Sequence, residues 1–444
     1  MNPSSLWALM AIGLGLAAPR PAADASFDVA KFERARVLGA AERLLAEEPS
    51  TVTAARSPRS AGGPHDFFSE GDYWWPDPKN ADGPYVQRDG LTNPDNFVEH
   101  RRALMRLSVQ VPTLVAAWRL TGEGRYALQA GRHLRAWFVD PDTRMAPHLK
   151  YAQAIHGITT GRPQGVIDTL HLVEVARAIE VLDVSPALSL DERESVRGWF
   201  REYLRWLTTD ENALKERDAR NNHATCWLLQ VAAFARLIGD GEQMAAARER
   251  FKTVIVPGQV ALDGSFPEEL RRTKPYGYSL FNLEAMAGVA ETLSTKEDNL
   301  WTFETPDGRG LGRAMAYMVP YIRDKKTWPK PPDVMYDGEW PMRQASLLFG
   351  GLALGRPEYV ALWKTLPADS NVEEVIRNFF IRQPVLWIEP NAKHGGAAKP
   401  RRRARGVSGG EPTAFLRWSV GSPPEVKEER RGATGENEPI ACLN

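Results

Sequence analysis

The 444-residue chain carries 56 Lys and Arg against 56 Asp and Glu, a formal net charge of zero, which excludes a general nucleic-acid binder with its basic excess. A hydrophobic fraction of 43% and a charged fraction of 25% exclude a disordered or fibrous chain. Its two cysteines, Cys226 and Cys442, match no zinc or iron–sulfur spacing and predict no structural disulfide, so stability must come from a core and no metal or other cofactor is expected.

The N-terminus opens with an apolar run, Leu6 to Ala18, too short to span a bilayer, followed by Ala23-Asp24-Ala25, a small-x-small cleavage pattern. Residues 1–25 therefore read as a signal peptide, although Met1 to Ser5 contains no Lys or Arg, and the expected location is periplasmic or secreted. No later segment is apolar enough to cross a membrane. Phe27 to Glu48 has an apolar stripe of helical period. Thr51 to Asn96 then loses that period and fills with Gly, Pro, Asp and aromatics, notably Gly71-Asp72-Tyr73-Trp74-Trp75-Pro76. A long irregular stretch so rich in aromatics predicts an ordered loop over a site.

From Asn96 onward the pattern is helical. Phe97–Leu120, Gly124–Val139, Val166–Leu182, Asp191–Thr208, Asn222–Ile238 and Gly241–Val256 are separated by short connectors bearing Gly, Pro or Asp. Leu280–Leu293, Gly310–Tyr321, Pro341–Leu354, Glu358–Leu366 and Asn371–Phe380 complete the series. Runs of Val, Ile and Thr with period two are absent, so the fold class is all-α. The helices pair as antiparallel hairpins without the roughly 34-residue repeat of an open solenoid, which predicts an α/α toroid over residues 26–390. Residues 391–444, with the basic run Lys399 to Arg405, read as a disordered polar tail.

Three segments carry candidate chemistry. Arg220-Asn221-Asn222-His223 opens an apolar helix, where an Asn serves first as an N-cap and a His in the first turn is held neutral by the helix dipole. Asp263 to Tyr278 gathers Glu268, Glu269, Arg271, Arg272, Lys274, Tyr276 and Tyr278 in what reads as a loop between helices. The third is the aromatic loop itself. His171 lies on an apolar helix, where a core or a cleft-lining place both fit.

Together, Asn-Asn-His at a helix start, Asp263-Gly264-Ser265-Phe266-Pro267 followed by Glu269, Leu270, Arg272 and Tyr278, and the Gly71–Pro76 loop with Asn93-Pro94 resemble the alginate-lyase family of polysaccharide lyases. The likeness is closer still to relatives active on glucuronan, and spans roughly residues 65–385. It implies an anionic uronate polymer as partner, a monomer, and β-elimination without a metal. Asn222 and Arg272 would neutralise the substrate carboxylate, while Tyr278 with His223 would supply the base and the acid. Asn221, Tyr73, Trp74, Trp75, Lys274, Tyr276, Glu269 and His171 would contact substrate.

One departure matters: Arg272 and Tyr278 are six positions apart, one fewer than mannuronate-specific relatives tend to have, which leaves the polymer open and makes Tyr276 a rival of Tyr278. A cation beside Tyr278 is expected to lower the pKa of its phenol. The alternatives are a glycoside hydrolase, with Asp72, Glu269 and Asp337 as its carboxylates, and a non-catalytic polysaccharide-binding protein.

Overall fold

Fifteen α-helices and four short strands order the residues described by the computed structural model, 27–388 apart from Ala81. The expected signal, the tail and Cys442 lie outside the described residues. In chain order come α1 (Val29–Leu44), β1 (Phe68–Glu70), β2 (Trp74–Trp75), β3 (Val86–Gln87), α2 (Glu99–Thr121), α3 (Gly124–Phe138) and β4 (Tyr151–Ala154). Then follow α4 (Leu172–Leu182), α5 (Leu190–Thr209), α6 (Glu211–Arg217), α7 (Asn222–Ile238), α8 (Gly241–Arg250), α9 (Val256–Gln259) and α10 (Pro267–Leu270). The last are α11 (Pro275–Leu293), α12 (Leu311–Arg323), α13 (Ala345–Ala353), α14 (Pro357–Thr365) and α15 (Glu373–Asn378).

Local chemistry sets several starts. The Asp28 carboxylate accepts from the Lys31 N–H at 2.9 Å ahead of α1, and Ser189 with Glu192 closes a reciprocal capping box on α5. Helices α2, α4, α7, α11 and α13 form an inner ring in which each packs on the next, and α3, α5, α8, α12 and α14 lie outside them. The inner members are apolar on nearly every face because they are covered on nearly every face: α7 and α11 bury almost their whole length. The ring is joined to its own beginning by α1, which packs on α2 and sets Phe27 and Phe32 against Trp363 of α14, with ring centres 6.2 and 5.5 Å apart. This is the expected α/α toroid, with one continuous apolar core. No helix among the described residues is long and apolar enough to cross a membrane.

The differences from the sequence pattern have local causes. Pro163–His171 is a 3-10 helix feeding α4 rather than part of it, and Phe251–Ile255 is a π turn between α8 and α9. Helix α6 escapes a periodicity reading because it is only seven residues long. The most consequential shift is at α11, which starts at Pro275, not Leu280. Proline at the first helical position has no N–H to lose and a φ already suited to a helix, so Tyr276 and Tyr278 stand on a first turn instead of in a loop. The irregular stretch is pinned by two small sheets, β1 parallel to β4 and β2 antiparallel to β3.

Candidate active site

The N-terminal ends of α7 and α11 open onto one polar cleft of about 590 Å³, where the helix dipoles favour an anion. Asn221, Asn222, His223, Arg272, Tyr278 and Tyr73 all line it, with Asp72, Asp89, Gln153, Arg162, Glu216, Glu374 and Arg377 among the other walls.

The start of α7 reverses the capping expectation. The Asn221 side chain makes no capping bond; the cap is Glu269 of α10, whose two carboxylate oxygens accept from the Asn222 N–H and from Asn222 Nδ2, each at 2.7 Å. Glu269 is 1% exposed and absent from the cleft wall, so it orients Asn222 rather than touching substrate, a correction to its expected role. Burial raises its pKa, while the two Asn222 bonds, Arg272 and His223 oppose that rise.

His223 is held by a second buried carboxylate, Glu216 of α6, at 2.5 Å from Nδ1. A carboxylate accepts, so Nδ1 carries the hydrogen and Nε2 is the nitrogen left for the cleft.

The Arg272 guanidinium donates to both oxygens of Asp89, at 2.8 and 3.3 Å, and to the Tyr278 hydroxyl at 3.3 Å. Its carbon stands 4.4 Å from the Tyr278 ring centre. The Tyr278 and Tyr73 hydroxyls are 2.7 Å apart. The phenol of Tyr278 is not lowered as expected: burial raises its pKa and outweighs Arg272 and the Tyr73 hydrogen bond, which pull it down. Burial likewise raises Tyr73. Behind them Asp72 takes Arg101 at 2.5 Å and Arg377 at 2.7 Å; burial pushes its carboxyl up, yet the two guanidinium groups prevail and hold it at about 2.

Several expected contacts lie elsewhere. Tyr276 points from the same helical turn into the core, fully buried, with its hydroxyl donating to the Tyr321 carbonyl at 3.2 Å and its ring edge-on to Trp328. Two residues apart on a helix means roughly opposite faces, so only one of the two tyrosines can face the cleft. Lys274 is 5% exposed and stands behind Tyr73, with Nζ 3.2 Å from Glu374 and 5.3 Å from the Tyr73 ring centre. His171 is buried near Arg382, Arg377 and Arg101 and does not line the cleft. Trp74 and Trp75 are half-buried outside the wall: Trp75 donates to the Leu91 carbonyl at 2.9 Å, and Trp74 lies under Arg162.

Sequence reasoning missed Glu216, Asp89, Gln153, Arg162, Glu374 and Arg377 as site residues. Glu216 had one usable signal: Asp210 ahead of Glu211 is an N-cap, and it marks the short helix that carries Glu216. The carboxylates considered for hydrolysis form no opposed pair. Asp72 is ion-paired, Glu269 is a cap, and Asp337 is held by Lys325 and accepts from the Asp333 N–H. A second hollow of about 480 Å³, walled by His65, Arg144 and Trp199, contains none of the candidate residues.

Comparison with known proteins identifies the family and the fold. The sequence profile of a family described as alginate lyase matches residues 51–328. Among solved structures, an alginate lyase from Bacteroides ovatus is 29% identical, with a TM-score of 0.70 over 78% of this chain and 93% of that one. A variant of alginate lyase A1-III complexed with a tetrasaccharide is 16% identical, with a TM-score of 0.51 over 80% of this chain and 94% of that one, a likeness of fold. No curated protein sequence matches the chain.

Proposed function

Since the chain belongs to the alginate lyase family and is a polysaccharide lyase, we propose that it cleaves a uronate polymer by β-elimination with Asn222, His223, Arg272 and Tyr278 as its working residues. Polymannuronate and glucuronan are the proposed substrates. The observation that carries the reading is the Tyr278 hydroxyl 3.3 Å from the Arg272 guanidinium, on the cleft wall that also holds His223 and Asn222.

Elimination removes the C5 proton, forms the C4–C5 double bond and expels O4, which takes up a proton. The C5 proton is removable only when the adjacent carboxylate is neutralised, because an enolate dianion is otherwise too costly. Arg272 supplies charge and Asn222, aimed by Glu269, supplies a donor. In mannuronate and glucuronate the proton and O4 share a ring face, so one phenol, Tyr278, serves first as base and then as acid. In guluronate they lie on opposite faces, and His223 takes the proton at Nε2 while Tyr278 donates to O4. Glu216 stabilises the imidazolium formed in that case.

The test is a panel of polymannuronate, polyguluronate and glucuronan, read by ultraviolet absorbance of the unsaturated uronate product. Absorbance on at least one polymer, lost in Tyr278→Phe, supports the reading; saccharide release without absorbance sinks it. A leader in residues 1–25 and a periplasmic or secreted site of action belong to the same proposal.

A further inference from the structure

Of the cleft-lining cations, Arg272 is bound to Asp89, Arg377 to Asp72, and Lys215 to Glu211. Arg162 differs. It forms no ion pair among the described residues, and its Nε has no hydrogen-bond partner. Burial draws its pKa down, and Asp72, Asp168 and Glu216 counter this only through longer-range attraction. An enclosed guanidinium without its own carboxylate is costly to keep unless an anion comes to it.

The position is built, not incidental. The Arg162 N–H donates to the Ala152 carbonyl of β4 at 3.1 Å, and a Cβ at Gly161 would meet the Lys150 carbonyl oxygen at 1.9 Å, so only glycine lets the loop lie this close to the strand. The guanidinium lies 5.8 Å from the Trp74 ring centre, and a Cβ at Gly71 would come within 2.7 Å of Trp74 and 3.2 Å of Arg162 Nη2. Gln153 accepts from Arg162 Nη2 at 2.6 Å while keeping a φ of 51°, a backbone state that a side chain of its kind rarely adopts. Such strain persists only where the surroundings enforce it, and it gathers at binding sites. Trp74, set outside the cleft wall, thereby acquires a role as the shelf beneath the cation.

We propose that Arg162, carried by Gln153 and Trp74, is a second carboxylate-binding position of the cleft, taking a uronate other than the one held by Arg272. The inference rests on the uronate-lyase reading for its ligand class. It makes Arg162 a residue that selects polymers charged on successive sugars over those charged on isolated ones.

The experiment compares the full chain with Arg162→Gln and Arg162→Lys. Calorimetric binding is measured for a mannuronate trisaccharide and for its methyl ester, which keeps the sugar and removes the charge. Arg162→Gln is expected to weaken the acid about tenfold or more and the ester less than about twofold, the difference a charge-assisted pair makes. Arg162→Lys should fall between, and the salt dependence of acid binding should become shallower in Arg162→Gln. In turnover, KM should rise more than kcat falls. Equal weakening of acid and ester would overturn the proposal, as would unchanged binding of both. A chain that binds the acid through Arg162 yet releases no unsaturated product supports the second position and sinks the lyase reading instead.

Discussion

Tyr276 and Tyr278 share one helical turn and part company at the side chain, one into the core and one into the cleft. Tyr278→Phe keeps the ring and removes the proton carrier, so turnover should drop by roughly 10²–10⁴, the usual contribution of general acid–base catalysis. Tyr276→Phe should leave turnover nearly intact and cost about 1 kcal/mol of stability through the lost bond to the Tyr321 carbonyl, read by denaturant unfolding. A dead Tyr276→Phe enzyme would place the chemistry two residues away. The raised phenol of Tyr278 also has a kinetic sign. The group is protonated until pH climbs past its raised value, so when it serves as base on mannuronate or glucuronate, kcat/KM should still be rising at about pH 10. A plateau beginning well below pH 10 would remove Tyr278 from the role of base.

At the level of elements, the site is two helix starts held by acids from other segments. Glu269→Ala should leave the Asn222 N–H and amide unsatisfied, destabilising the chain by roughly 2–3 kcal/mol and lowering turnover as Asn222 loses its aim. Denaturant unfolding beside a product assay reads both. This arrangement also explains what the sequence could and could not reveal. The apolar run from Ala224 to Leu237 makes α7 legible from its first residue, whereas the grouping of Asn222, His223, Arg272 and Tyr278 comes from the family resemblance, not from spacing alone. Arg377 was invisible because its partner Asp72 lies three hundred positions earlier, and Glu216, seven positions before His223, was hidden by the helix boundary between them and betrayed only by the Asp210 cap. Trp74 was misplaced for the converse reason. Its amphipathic ring announces a surface role, but only the fold reveals that the cation of Arg162 already occupies its face.

Over the whole molecule, the inner helices are bound to one another by buried carboxylates as well as apolar contact. Glu284 of α11 accepts from the Ala345 and Ser346 N–H groups at 2.8 and 2.9 Å, capping α13. Burial pushes its pKa up to about 7, with Glu174 adding to the rise and the hydrogen bonds from Ser346 and Ala345 resisting it. Because the folded value lies above the unfolded one, its contribution is complete below the ordinary Glu range and is lost as pH rises through about 7. Relative to Glu284→Gln, the native chain should therefore lose roughly 3 kcal/mol of stability between about pH 4 and pH 8. Parallel unfolding curves for the two proteins at all pH values would contradict this. Trp363→Ala should cost roughly 3–5 kcal/mol, because it opens a cavity where the ring meets its own beginning.

That junction also sets a clock on synthesis. Arg36 of α1 reaches Asp369 across 333 positions, and Phe32 waits for Trp363. At roughly 5–20 residues per second, the ribosome needs about 15–70 s to deliver the partner after the first helix has emerged. Throughout that interval Phe27 and Phe32 have no Trp363 to pack on, although α2 is already available to the rest of α1. A holding chaperone that shields the first fifty or so residues during translation would govern yield more than any change in final stability.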